Sequence, residues 1–159
     1  MMKICLIDDE WICRLIVHKL IEKIIPEPDI VDCTEGQAAI DFLTGQSLIG
    51  EPLPELILLD INMPLANGWQ FLDLLYGLDI HDYQPRVYIS SSSIGSDDMD
   101  RAKTYPAVYG YLPKPLTPMI LWEIFGDMGM DGMDLPRKTE NDDRQGIATY
   151  FKCHPVANG

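Results

Sequence analysis

Two rhythms of hydrophobic positions alternate along this chain. Residues 3–7 (KICLI) form a short apolar run that stops abruptly at Asp8-Asp9, the pattern of a buried strand ending at a polar edge. From Trp11-Ile12 onward, through Leu15-Ile16, Leu20 and Ile24, apolar residues recur at helical spacing until Pro26 and Pro28 end the segment. A weak strand is expected at 30–33 and a short helix at 37–43, closed by Gly45. Residues 45–55, with two glycines and two prolines, read as a loop. The run Leu56-Ile57-Leu58-Leu59 is the clearest strand signal and leads directly into Asp60. Beyond it the pattern predicts a helix at 68–75, a strand at 87–91, a helix at 97–104, a strand at 108–112 and a helix at 119–125.

Strand and helix thus alternate five times. That order predicts an α/β, doubly wound (βα)5 domain with a five-stranded parallel sheet and helices on both faces. In such sheets ligands bind beyond the carboxyl ends of the strands, so chemistry is expected there. Residues 127–159 carry no periodic face longer than a turn. They are expected to be an irregular or partly disordered tail, with one short ordered piece around 147–151.

Composition narrows the function classes. The chain has 159 residues, 47% hydrophobic and 23% charged, enough for one domain with a proper core. With 25 acidic against 12 basic residues the formal net charge is −13, which offers no surface for neutralising nucleic-acid phosphates. Direct nucleic-acid binding is therefore not expected. No apolar stretch approaches the roughly 18 residues of a membrane helix, and the N-terminus turns acidic too soon for a signal peptide, so a cytoplasmic protein is expected. Cys5, Cys13, Cys33 and Cys153 form no C-x-x-C pair, and His18, His81 and His154 are scattered. Buried free thiols are expected rather than a disulfide framework or a zinc site.

The chemistry-bearing residues follow strand ends. Asp8-Asp9-Glu10 follows the first strand and Asp60 ends the third, which are neighbours in a parallel sheet of this kind. Crowded carboxylates repel one another, and a hard cation with oxygen ligands, Mg²⁺, relieves them. The fourth strand runs into Ser90-Ser91-Ser92-Ser93 and the fifth is followed by Lys114-Pro115, adding a hydroxyl and an ammonium. An acid pair, a lone Asp, a hydroxyl and a Lys suit phosphoryl transfer to a carboxylate. No G-x-x-x-x-G-K-[ST] or G-x-G-x-x-G follows the first strand, which argues against a nucleotide-binding enzyme.

Over residues 3 to about 125 the chain resembles the receiver domains of two-component response regulators. The stretch 58–68, LLDINMPLANG, matches the family's phosphoacceptor motif D-x-x-M-P-x-x-x-G, with Asp8-Asp9 upstream and Lys114-Pro115 downstream. The resemblance implies a flavodoxin-like fold with strand order 2-1-3-4-5, a receiver domain at 1–126, and a tail at 127–159. It implies that Asp60 is the phosphoacceptor, carried as 4-aspartylphosphate. Asp9 would be a direct Mg²⁺ ligand, with Asp8 acting mostly through water and Asp60 and the Asn62 backbone carbonyl completing the protein ligands. Lys114 would contact the phosphoryl group, the Lys114–Pro115 bond would be cis, and Tyr111 would be the switch aromatic. Of the four serines, strand phase and the match of Asp98-Met99 and Arg101-Ala102 to the family's fourth helix favour Ser91 as switch hydroxyl; Ser90 stays open. Pro113 lacks a backbone donor, tolerable if the fifth strand is at the sheet edge.

The function expected is therefore a stand-alone receiver domain that takes a phosphoryl group from a sensor histidine kinase or histidine phosphotransfer protein. It would signal to a downstream protein by conformational switching, catalysing only its own phosphorylation and dephosphorylation. A phosphatase of the haloacid dehalogenase type needs an acid two residues after its nucleophile, where this chain has Asn62. A phosphate-independent interaction module of the same fold is the alternative.

Overall fold

The computed structural model describes residues 1–64, 67–93, 95–130 and 151–152. In chain order its elements are β1 (Lys3–Ile7), α1 (Trp11–Ile24), β2 (Asp29–Cys33), α2 (Gly36–Ile49), β3 (Leu56–Asp60) and α3 (Gly68–Gly77). They continue with β4 (Arg86–Ser91), α4 (Ser96–Ala102), β5 (Val108–Pro113), α5 (Pro118–Asp127) and β6 (Phe151–Lys152). Strands β1 to β5 are parallel in the order 2-1-3-4-5, the flavodoxin-like receiver fold. Among the described residues no helix is long and apolar enough to cross a membrane.

The period-two pattern of the strands divides the core into two layers. Cys5, Ile7, Ile57, Leu59, Val87 and Ile89 face α2, α3 and α4. Ile4, Leu6, Leu56, Leu58 and Tyr88 face α1 and α5. Strand β3 is buried along its whole length, which explains why its run is uninterrupted by polar residues. Asp60 continues the phase of Leu56 and Leu58 and so belongs to the α1/α5 side. Ser91 continues the phase of Val87 and Ile89 and belongs to the other.

The structure departs from the sequence pattern in two places. Helix α2 runs through Gly45 to Ile49, and its end is set by Gly50, whose φ of 73° is left-handed and whose N–H caps Gln46 and Ser47. The loop expected at 45–55 therefore begins only after Ile49. Strand β5 is followed on its outer side by β6, antiparallel, with Tyr111 opposite Phe151 and Gly110 opposite Lys152. So β5 is not the outermost strand, and β6 begins at the end of the short ordered piece expected around 147–151. Pro113 is still accommodated: Lys114 N–H donates to Ser91 O at 2.9 Å, so by alternation the missing donor of Pro113 points to the outer side, beyond the β6 pairing. Residues 131–150 and 153–159 lie outside the described residues, and with them Cys153 and most of the piece expected at 147–151. Cys5 and Cys33 are buried free thiols, as expected, with sulfurs 3.9 Å apart; Cys13 is partly exposed.

Helix α3 holds the chain that leaves Asp60. Asn67 caps it by accepting from Gln70 N–H at 3.0 Å, and Gly68 N–H donates to Ile61 O at 3.2 Å. A Cβ on Gly68 would lie 2.8 Å from Asp60 O and 2.8 Å from Ile61 Cα, both backbone atoms that cannot move aside cheaply. At Gly45 a Cβ meets nothing within 4 Å. Two opposite outcomes are expected from urea unfolding. Gly45→Ala stabilises by about 0.5–1 kcal/mol, as in any exposed helix interior. Gly68→Ala destabilises by about 1–3 kcal/mol through overpacking. Destabilisation by Gly45→Ala would contradict the length given to α2.

Candidate functional site

The carboxyl ends of β1, β3, β4 and β5 converge on one cluster. Asp8 and Asp9 follow β1 and Asp60 ends β3, and one carboxylate oxygen from each lies within 4.8 Å of the others. Asp60 is only 4% exposed, whereas Asp9 is open to solvent. Lys114, just past β5, reaches back across the sheet: its Nζ lies 2.7 Å from Asp8 Oδ2 and 3.2 Å from Asp60 Oδ2. The Lys114–Pro115 peptide is cis, as the resemblance implies. Ser90 lines the same cavity of about 210 Å³ as Asp8, Asp60 and Lys114. Cys13, Arg14, Ile16 and Val17 of α1 line the cavity, and Leu116 adds to its apolar side.

Hydrogen bonds fix the orientation of these groups. Asn62 N–H donates to Asp60 Oδ1 at 2.9 Å, which sets the Asn62 backbone beside the acidic group. The Asn62 side chain donates from Nδ2 to Ser91 Oγ at 2.9 Å, and Ser93 N–H donates to the same oxygen at 3.1 Å. Both acceptor sites of the Ser91 hydroxyl are then filled, so its proton is the part left to donate, and it faces the Tyr111 hydroxyl. Tyr111 is fully buried and donates its hydroxyl to Ser93 O at 2.9 Å, tying β5 to the chain after β4. Asp8, Asp9, Asp60 and Lys114 therefore meet directly. Ser91 joins them through Asn62, and Tyr111 joins through Ser93. The Ser90 hydroxyl is buried without a hydrogen-bond partner.

Burial raises the Asp60 carboxyl above the ordinary carboxylate range, and the nearby Asp8 charge adds to this. The Asn62 N–H and the Lys114 ammonium oppose the shift without cancelling it. For Lys114 the balance runs the other way. Burial pulls its ammonium down, but hydrogen bonding and charge from Asp8 and Asp60 outweigh that and raise its pKa. The site thus holds an acid pair, a buried carboxylate and a firmly protonated lysine.

All-oxygen, anionic donors crowded this closely fit a hard divalent cation and do not fit a soft metal. Of two further features of the site, the first carries no signal in the residue pattern and the second an ambiguous one. Arg14 of α1 donates from Nη1 to the backbone oxygen of Asp8 at 2.6 Å. Beside it the outer face of α1 exposes Trp11 (64%), Ile12 (52%), Leu15 (48%) and Ile16 (46%). The helical spacing of those four is visible in the sequence, but the same spacing also describes a helix that buries them.

Comparison with known proteins agrees with this arrangement. The family model described as response regulator receiver domain matches residues 4–126. An uncharacterized response regulatory protein of Staphylococcus epidermidis is 32% identical over 158 residues, covering 98% of this chain and 56% of the relative. The chain spans about half the length of such curated relatives. A two-component response regulator from Cytophaga hutchinsonii has a similar structure, with TM-score 0.70 and 30% identity over 81% of this chain and 97% of that one. One from Legionella pneumophila gives TM-score 0.70 and 27% identity, over 82% and 99% of the two chains. With its fold, its converging strand ends and these relatives in agreement, the chain belongs to the family of response regulator receiver domains.

Proposed function

We propose that Asp60 is the phosphoacceptor of this receiver domain. The observation that carries the proposal is a buried carboxylate at the end of β3, held between the Asn62 N–H and the Lys114 ammonium and open to a small cavity. Its carboxylate attacks the phosphorus of a phosphohistidine on a sensor kinase or phosphotransfer protein. The new P–O bond forms as the P–N bond breaks, and the departing imidazole keeps the electron pair. Lys114 exchanges its contact with Asp60 Oδ2 for one with a phosphoryl oxygen. Ser91, its oxygen already held by Asn62 and Ser93, turns its proton from the Tyr111 hydroxyl toward the phosphoryl group. That rotation strains its bonds to Asn62 and Ser93, and the Ser93 shift reaches Tyr111 through the 2.9 Å hydrogen bond. The switch is a change in population between two arrangements, driven by the new charge.

Asp9 and Asp60, the Asn62 carbonyl and Asp8 through water are the residues that would hold Mg²⁺. When bound, the ion would supply further positive charge to balance the phosphoryl oxygens. The apolar outer face of α1, beside the cavity, supports docking of a helical partner that carries the histidine. With a net charge of −13 the chain does not attract free phosphate donors over long range, so a docked donor is the efficient route. Output is proposed to pass to a protein partner, not to nucleic acid, with the chain acting in the cytoplasm.

Intact-mass spectrometry after incubation with acetyl phosphate tests the proposal. One phosphoryl adduct is expected that requires Mg²⁺, is lost with EDTA and is absent in Asp60→Asn. An adduct that survives Asp60→Asn would refute the assignment, and no adduct at all would favour a phosphate-independent module. Lys114→Ala is expected to slow adduct formation on the order of 100-fold, as for loss of a charge-stabilising donor. Ser91→Ala is expected to slow it about tenfold, the worth of one hydrogen bond to a charged group. Ser90→Ala should match wild type; the reverse ranking of the two serines would exchange their roles.

Stability should trade against this chemistry. Because burial raises the Asp60 pKa, the folded chain binds that proton more tightly than the unfolded chain does. Stability therefore falls as pH rises from the unfolded aspartate value, about 3.9, through the raised folded value. Asp60→Asn removes this cost. The variant is expected to unfold at higher urea than wild type at neutral pH, and the difference should vanish in acid. A less stable variant at neutral pH would contradict the account.

A further inference from the structure

Asp8 is held at every polar atom it has. Its N–H donates to Cys33 O at 3.1 Å, its Oδ1 accepts from Glu10 N–H at 2.8 Å, and its Oδ2 faces Lys114 at 2.7 Å. The fourth contact is the short one from Arg14 Nη1 to Asp8 O, a charge-assisted bond of 2.6 Å. Arg14 is itself nearly buried, its side chain 14% exposed, and its Nε faces Asp32 Oδ2 at 3.6 Å, an ion pair longer than a hydrogen bond. Asp32, on β2, also meets His18 Nε2 at 2.8 Å through its other oxygen. Arg14 and His18 are four residues apart on α1 and so share a face. A strut thus runs from β2 through Asp32 and Arg14 to the peptide that carries the acid pair.

We propose that Arg14 is a positioning residue for Mg²⁺ binding. It touches neither the ion nor the phosphoryl group and acts by fixing the backbone of Asp8, with Asp32 orienting its guanidinium. The inference rests on reading Asp8, Asp9 and Asp60 as the Mg²⁺ site. The physical reason is the cost of gathering like charges. Three carboxylates converge within 4.8 Å against one lysine, so the β1–α1 turn is pressed to open. A guanidinium on the turn's carbonyl opposes that opening and keeps the acids preorganised for a cation. Groups that orient metal ligands commonly change affinity tenfold or more when removed. A lysine at this position can still donate one hydrogen bond to a single carbonyl, but it lacks the fork that also faces Asp32.

The test is a Mg²⁺ titration followed by tryptophan fluorescence, Trp11 being exposed two residues from Asp9, on the full chain. Wild type, Arg14→Ala, Arg14→Lys and Asp32→Asn are compared, with the melting temperature of each measured without Mg²⁺. The Mg²⁺ midpoint is expected to rise about tenfold in Arg14→Ala. Arg14→Lys should recover part of that loss, and Asp32→Asn should fall between wild type and Arg14→Ala. At saturating Mg²⁺ the rate of phosphorylation by acetyl phosphate should return to near the wild-type rate in all three. An Arg14→Ala midpoint equal to that of wild type would overturn the role of Arg14, even with a lowered melting temperature. So would an Arg14→Lys no better than Arg14→Ala. A wild type without any Mg²⁺ response would instead overturn the metal reading on which the inference stands.

Discussion

A carboxylate that is 4% exposed has to be compensated, and in this chain the compensation is one ammonium shared between two acids. Lys114 lies 2.7 Å from Asp8 and 3.2 Å from Asp60, so the residue that follows β5 is tied to residues that follow β1 and end β3. Leaving either acid buried and unpaired would cost several kcal/mol. The contact therefore presumes a correct sheet order, a small residue at the end of β4, and a β5 that stops where the lysine can turn back. The compensation is incomplete, because burial still raises the Asp60 pKa.

The surrounding layers follow from the same demand. Strand β3 lies inside the sheet, buried on both faces, and so delivers Asp60 to a dry edge. Gly68 lets α3 start against the backbone of Asp60 and Ile61, where no side chain fits. Asn62 serves two groups at once, its backbone holding Asp60 and its side chain holding Ser91. Asp60 and Ser91 are thus linked through one residue, and Ser91 reaches Tyr111 both directly and through Ser93.

Much of this is legible in the sequence. Each strand of the parallel sheet is a short apolar run that stops at a polar residue, and parallel sheets put ligands where such runs stop. That logic alone gathers Asp8, Asp9, Asp60 and Lys114. The pattern is less informative where an energy near 1 kcal/mol decides. Gly45 reads as a helix end because glycine is a poor helix former, yet that penalty is small enough for α2 to carry it to Gly50. The β6 pairing depends on backbone edges rather than on residue type, so the composition of the tail does not announce it. Arg14 is invisible for a related reason. Its bond goes to a backbone oxygen, and a carbonyl leaves no mark in the sequence. The choice between Ser90 and Ser91 rests on strand phase, and both lie buried at the site, on opposite faces of β4.

The central claim is that the phosphoryl group resides on Asp60, and chemical trapping of the acyl phosphate tests it most directly. Borohydride reduces an aspartyl phosphate to homoserine, which tandem mass spectrometry of the digested protein locates to a residue. After phosphorylation in the presence of Mg²⁺, homoserine is expected at position 60 and at no other aspartate. Homoserine at Asp8 or Asp9, or phosphate retained on one of the serines 90–93, would contradict the account.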